Sequence, residues 1–314
     1  MSQKRILICG SIAYDTIMVF PDRFARHILP DQVHMLSVSF QIGEMRREFG
    51  GCAGNIAYNL QGLGGSPVVM ATIGDDGGPY RERIAALGIA PDGLRSVPGT
   101  YTAQAFIITD LDNNQITAFH PGAMNHSHEN AVAAISDIAL GIVAPDGREG
   151  MRSHVEQFAN AGIPFIFDPG QGMPLFSGEE LIGMIDAASY LAVNDYEASL
   201  LCERTGLDLQ AIARRVQALV VTHGGAGSEI HADGHCIKVP VADAATLVDP
   251  TGCGDAYRAG LLYGIANQWD WLRTGRLAAT LGALKISARG GQNHAVSRER
   301  VAALYLKSFG DKLW

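Results

Sequence analysis

Residues 247–260 read Leu-Val-Asp-Pro-Thr-Gly-Cys-Gly-Asp-Ala-Tyr-Arg-Ala-Gly, a strand-like run that ends in a two-glycine turn and passes into an apolar helix opening at or near Asp255. The first N–H groups of a helix have no acceptor within it and lie at the positive end of its dipole. Gly252, Cys253 and Gly254 therefore present a hole for an anion such as a phosphoryl group. An aspartate at the mouth of such a hole weakens its attraction unless it has a purpose of its own. Asp255 is suited to two: capping the helix, or taking the proton from a hydroxyl nucleophile. A second segment, residues 48–60, carries Gly50, Gly51, Gly54 and Asn55 where a helix begins. Backbone without Cβ atoms beside an amide lets a polyhydroxyl ligand approach and be read by hydrogen bonds, and equally makes a plain turn.

Other phosphate-handling patterns are missing from the sequence. There is no G-x-x-x-x-G-K-[ST] loop, no G-x-G-x-x-G after the first strand and no G-x-S-x-G elbow, which sets aside P-loop NTPases, dinucleotide enzymes and α/β-hydrolases. The formal charge is −8, from 24 Lys+Arg against 32 Asp+Glu, with no basic run, so nucleic acid is not expected as a partner. No apolar stretch approaches the roughly 18 residues a membrane span needs, and none forms a signal-peptide core, which points to a cytoplasmic protein. The five cysteines are scattered without a C-x-x-C pair, so neither a disulfide framework nor a zinc site is indicated.

The elements that must position these segments follow from periodicity. Short β-branched runs at 5–10, 68–74, 138–144, 163–168, 190–194 and 219–223 alternate with helical patterns at 55–63, 80–87, 147–160, 179–187, 195–204 and 254–266. That rhythm predicts an α/β fold of βαβ units around a mostly parallel sheet. Two regions break it with paired alternating strands, 14–20 with 33–41 and 104–110 with 115–120. They are expected to form a small β-sheet lid, from two insertions at about 12–48 and 100–123, over the carboxyl edge of the main sheet. Without a linker or an internal repeat, residues 1–314 are expected to be one domain.

Taken together and in this order, the Gly50–Asn59 and Asp249–Gly264 stretches resemble the paired signatures of the ribokinase-like (PfkB) family of carbohydrate and nucleoside kinases. Asp15 on the first lid strand, Asn194-x-x-Glu197 and Thr222-x-Gly224-Gly225-x-Gly227 extend the resemblance through most of the chain. It implies the three-layer α/β/α, Rossmann-like ribokinase fold and ATP-dependent phosphoryl transfer to an alcohol. By the same resemblance Asp255 is the base, and Gly252, Cys253 and Gly254 stabilise the transferred group. The family commonly has alanine at position 253; the backbone matters there, although a helix N-terminus could lower the Cys253 thiol pKa. Asp15, Gly50, Gly51 and Asn55 match sugar-hydroxyl positions. Asn194 and Glu197 match the motif that organises Mg²⁺ and its waters, and Thr222, Gly224, Gly225 and Gly227 match the ATP loop. Asp249 and Thr251 match part of a monovalent-cation (K⁺) site, whose other ligands come from residues 287–293.

The lid must choose the acceptor. Residues 115–124 resemble the lid segment of bacterial and archaeal adenosine and nucleoside kinases. Phe106 and Phe119 then correspond to aromatic rings on either side of a purine, Gln171 to a pocket glutamine, and Ser39 lines the same pocket. Either phenylalanine could instead be lid core. A nucleoside, adenosine first, is expected over a free sugar of the ribokinase or fructokinase type, with a non-catalytic ligand-binding member as the other alternative. Arg46, Arg47 and Arg258 are the candidate partners for phosphate charge. An apolar lid face could also pair with its twin in a homodimer.

Overall fold

Apolar runs become the centre of a nine-stranded sheet in the computed structural model, which describes residues 5–28, 37–112 and 114–314. Its strands are β1 (Arg5–Cys9), β4 (Ser66–Ile73), β5 (Ala90–Ser96), β8 (Ile138–Val143), β9 (Phe165–Phe167), β10 (Tyr190–Asn194), β11 (Ala218–Thr222), β12 (Ser228–Ala232) and β13 (His235–Val239). They lie in the order β13-β12-β11-β10-β9-β8-β1-β4-β5, and all pair in parallel except β12 and β13, which form an antiparallel hairpin at one edge. From β1 the chain moves to β4 and β5 on one side and returns to β8 on the other, so the connections diverge at the carboxyl ends of β1 and β8. In open α/β sheets that crevice is where ligands bind.

Both faces of the sheet are covered. Helices α1 (Cys52–Gly62), α7 (Cys253–Ala266), α8 (Trp271–Ile286) and α9 (Arg298–Phe309), with α2 (Gly78–Ala86), bury one apolar cluster. Helices α3 (Arg148–Ala161), α4 (Gly178–Ala187), α5 (Asp195–Thr205) and α6 (Leu209–Ala213) bury the other. The spacing explains the docking: Ile56, Leu60 and Leu63 line one face of α1 and its exit, and Met151, Val155 and Phe158 one face of α3; all but the 2 % exposed Val155 are fully buried. Among the described residues no helix is long and apolar enough to cross a membrane.

A separate four-stranded sheet, in the order β3-β2-β6-β7, comprises β2 (Ala13–Val19), β3 (Glu44–Gly50), β6 (Ala103–Thr109) and β7 (Gln115–His120). The strand facing β2 is therefore Glu44–Gly50, not 33–41. Residues 37–41 are outside any strand, and 33–36 lie outside the described residues. Strand β3 escapes a periodicity reading because it is a charged edge strand, Glu-Met-Arg-Arg-Glu-Phe-Gly, held by its register from Ala13↔Gly50 to Val19↔Glu44.

Candidate active site

Asp255 is the third residue of α7, and Gly252 precedes the helix in the left-handed region (φ 79°, ψ 5°). A Cβ at Gly252 would also come within 3.2 Å of the Gly291 Cα, so both conformation and close approach require glycine. The N–H of Cys253 donates to the Pro250 carbonyl at 3.1 Å, closing the turn. The hole consequently presents the N–H groups of Gly252 and Gly254, which have no protein acceptor among the described residues, and Cys253 drops out as a donor. Its thiol is also not activated: burial pushes it up to about 11, against the lowering expected at a helix N-terminus.

The Asp255 carboxyl is pushed up to about 6, first by its enclosure, with Asp168 adding to the rise and the Asn55 amide opposing it. Asn55 Nδ2 donates to Asp255 Oδ2 at 2.9 Å. Asn55 Oδ1 accepts from Gln292 Nε2 (3.2 Å), which also donates to the Tyr80 hydroxyl (2.7 Å); that hydroxyl donates to the Gly50 carbonyl (2.6 Å). A Cβ at Gly54 would lie 2.0 Å from the Tyr80 oxygen, so this third glycine makes room for the chain of hydrogen bonds. Asn55 thus holds the Asp255 carboxyl, a role that the sequence did not disclose. Tyr80 was missed, and Gln292 falls in the 287–293 loop expected to contribute to a cation site but not in this role; the only local trace of the contact is a glycine inside a helix.

Arg258, one turn beyond Asp255, forms a buried two-pronged ion pair with Asp168 (3.0 and 3.1 Å) that fixes α7 to the end of β9. Arg46 faces Glu48 at 3.5 Å. Arg47 pairs with Asp76 at 3.2 Å and lies 3.6 Å over the Tyr14 ring. Each of the three arginines considered for phosphate charge therefore already has a carboxylate partner.

Asp15 lies on β2 beside Gly50, where a Cβ would fall 2.3 Å from Asp15 Oδ2. Enclosure and the charges of Glu48 and Asp249 push its carboxyl up to about 6. Its side chain has no protein donor among the described residues, which leaves both oxygens for a ligand. Gly51 (φ 85°) opens α1, and a Cβ there would meet the Ser11 carbonyl at 2.5 Å. Strand alternation separates the two lid phenylalanines. Asp15 pairs across β6 with Ala105, which faces Phe119; Thr16 pairs with Phe106, which faces Ala118. Phe119 therefore shares the Asp15 face and Phe106 points from the opposite one, so the two rings do not bracket one ligand within a single lid. Gln171 is exposed in the short turn after β9, at the carboxyl edge, and Ser39 is exposed in the segment leading to β3.

Asn194 and Glu197 form a reciprocal capping box at the start of α5: Asn194 Oδ1 accepts from the Glu197 N–H and Glu197 Oε2 from the Asn194 N–H, each at 2.8 Å. Glu197 Oε1 has no hydrogen-bond donor among the described residues. The Glu197 carboxyl is raised by burial and by Asp168, which places it electrostatically with the Asp168–Arg258 pair. The turn from Thr222 to Gly227 joins β11 to β12; Cβ atoms at Gly224 or Gly225 would meet open space, whereas one at Gly227 (φ 97°) would fall 2.4 Å from the Val239 carbonyl oxygen.

Around Asp249 both carboxylate oxygens accept backbone N–H groups, from Thr251 (2.9 Å) and Gly290 (2.8 Å). Burial pushes this carboxyl up, but the two N–H donors, with the Thr251 side chain and the Lys285 charge, outweigh it and the net shift is downward. The buried Lys285 ammonium donates to the main-chain carbonyls of Asp249 (2.8 Å) and Ala288 (2.9 Å). A carbonyl pair beside a carboxylate suits a monovalent cation, and here a side chain supplies one. A sequence read for metal ligands does not reveal this, since Lys285 sits in an apolar helix 36 positions from Asp249.

Residues 12–298 match the pfkB family carbohydrate kinases. The chain is 30% identical over 301 residues to a nucleoside kinase of Methanothermobacter thermautotrophicus (94% of this chain, 93% of that one). It is 30% identical over 267 residues to a nucleoside kinase of Methanocaldococcus jannaschii (84% and 88%). Among solved structures, Burkholderia thailandensis nucleoside kinase in complex with inosine superposes with a TM-score of 0.90 at 52% identity, covering 98% of this chain and 99% of that one. The same protein in complex with ADP-inosine gives 0.87 at 55% identity, covering 98% and 97%. With the paired glycine segments, the doubly covered sheet and the lid all in place, the chain belongs to the pfkB family of carbohydrate kinases.

Proposed function

We propose that the chain transfers the γ-phosphoryl group of ATP to the 5′-hydroxyl of a purine nucleoside, adenosine first, with Asp255 as general base. The observation that carries this reading is the mouth of α7: an enclosed carboxylate beside two unpartnered N–H donors, held by Asn55. Relatives named nucleoside kinases, one of them solved with inosine and with ADP-inosine, support the acceptor class. The free carboxylate of Asp15 accepts hydrogen bonds from vicinal ribose hydroxyls, and Phe119 offers one aromatic face to the base. Asp255 takes the 5′-hydroxyl proton as that oxygen attacks in line, and Gly252 and Gly254 receive the developing phosphoryl charge. The Thr222–Gly227 turn approaches the nucleotide by backbone.

Mg²⁺ fits the donor set through water: Glu197 keeps one oxygen free and Asn194 orders it, in keeping with an ion that dehydrates reluctantly. When bound, the ion neutralises charge on the nucleotide phosphates. A resident K⁺ does not fit in the same way, because Lys285 already donates to the Asp249 and Ala288 carbonyls; the ammonium supplies that charge.

A second reading, a ribose or fructose kinase, is favoured by one observation, that Phe106 points away from the Asp15 face and leaves half of an aromatic sandwich absent. ADP production with adenosine, inosine, guanosine, cytidine, ribose and fructose separates the two. Turnover with purine nucleosides and none with free sugars is expected. Turnover with sugars alone overturns the acceptor, and binding without turnover across the panel favours a non-catalytic member.

A further inference from the structure

We propose that Glu229, His231 and Cys236 form a binding site for a divalent transition metal, zinc first, with His223, just outside that cluster, as the fourth ligand after a side-chain shift. The hairpin geometry brings them together. Glu229 and His231 are two apart on β12 and so share a face; Cys236 on β13 is the direct cross-strand partner of His231 and shares it too. Their ligand atoms all lie within 4.8 Å of one another. His231 Nε2 is 3.7 Å and His223 Nε2 3.9 Å from Glu229 Oε2.

Two features set this cluster apart from a chance gathering of surface groups. Both Nε2 atoms are shielded from solvent without a hydrogen-bond partner among the described residues, although an imidazole nitrogen so placed ordinarily finds one. The carboxylate between them pairs with Lys238 Nζ only at 3.9 Å, and among the described residues no lysine or arginine stands nearer. Imidazole, carboxylate and thiolate together suit zinc, which takes N, O and S donors in a tetrahedron, and do not suit magnesium or calcium, which prefer oxygen alone. Cys236 is exposed and gives the ion an entry. On binding, its thiol proton passes to solvent as the sulfur–metal bond forms.

The position gives the site a consequence. His223 lies inside the Thr222–Gly227 turn and Glu229 two residues after it, so a shared ion would clamp both ends of that turn. Metal binding itself does not depend on the nucleotide assignment.

The test is a titration of the chelator-stripped full-length protein with Zn²⁺ against a chromophoric chelator, in excess Mg²⁺, with Co²⁺ as a spectroscopic substitute. One zinc per chain is expected, with cobalt showing a thiolate-to-metal charge-transfer band. Cys236→Ser should abolish that band, and Cys236→Ser and His231→Gln should each lower zinc affinity at least about tenfold. Both positions lie on an edge hairpin, and metal-free melting temperatures equal to wild type verify the fold. Unchanged affinity in both variants, or cobalt bound without the thiolate band, overturns the site. Unchanged affinity in His223→Ala removes that residue as a ligand.

Discussion

For Asp255 as the proposed base two demands conflict, because a base must be ionised while the enclosure of this carboxyl disfavours its charge. The compromise is a carboxyl pushed up to about 6 and held by Asn55. A carboxyl raised in this way is protonated on the acid side of its pKa, so kcat should fall as pH drops through about 6. An acid limb at the ordinary aspartate value, about 4, would contradict the assignment. Asn55→Ala removes a hydrogen bond to an ionised group, worth about 1.5–3 kcal/mol. It should lower kcat by roughly ten- to a hundredfold and move the acid limb to higher pH, because the lost amide favoured the charged form. A variant that raised KM alone, with the limb unmoved, would return Asn55 to ligand binding only. The placement of Gly252, Gly254 and Asp255 at one helix start was legible in the sequence because local spacing specifies it. Gln292 and Tyr80 were not, because their contacts with Asn55 and Gly50 join residues from 30 to 237 positions apart.

Among the elements, the end of α8 carries the sharpest departure from expectation. Lys285 donates to the main-chain carbonyls of Asp249 and Ala288, beside the carboxylate and within the 287–293 loop that the family resemblance assigns to a monovalent-cation site, and burial holds its pKa below the ordinary lysine value. Turnover of the wild type should therefore be the same in K⁺, in Na⁺ or in a bulky organic cation. Lys285→Met should lose roughly tenfold, about one charge-assisted hydrogen bond's worth, and regain activity with added K⁺. Wild-type activity that rises steeply with K⁺ would contradict this role for the ammonium. Strand alternation accounts for the other departure. The lid strands at 104–110 and 115–120 were legible as a hairpin, but which face each side chain takes depends on register, and register places Phe106 opposite Asp15. Strand β3 was misplaced because an edge strand need not bury either face.

Across the whole molecule, the alternation of βαβ units made the parallel sheet legible; the antiparallel β12–β13 edge was missed although its polar–apolar alternation around Asp233-Gly234 is a hairpin pattern. The lid also presents an apolar row away from the Asp15 face: Met45, Met18, Ile108 and Ile116 stand in register across all four strands, with Phe106 beside them. Met45 is 72%, Ile116 40% and Phe106 39% exposed. An exposed apolar sheet face of this kind is suited to a twin lid, and a twofold pairing would cover it on both chains. Sedimentation should show a dimer, and Ile116→Lys with Met45→Lys should convert it to a monomer with an unchanged melting profile. A wild type that sediments as a monomer at high concentration would contradict lid pairing.

The most direct measurement compares Asp255→Asn with the wild type, following nucleoside 5′-monophosphate formation and, by calorimetry, binding of nucleoside and of nucleotide. The amide keeps the size of the carboxylate and its contact with Asn55 while removing the base. Both ligands should bind with affinities close to wild type, and kcat should fall by at least about a hundredfold. Turnover within about tenfold of wild type would contradict the central claim that the carboxylate at the mouth of α7 takes the proton from the acceptor hydroxyl.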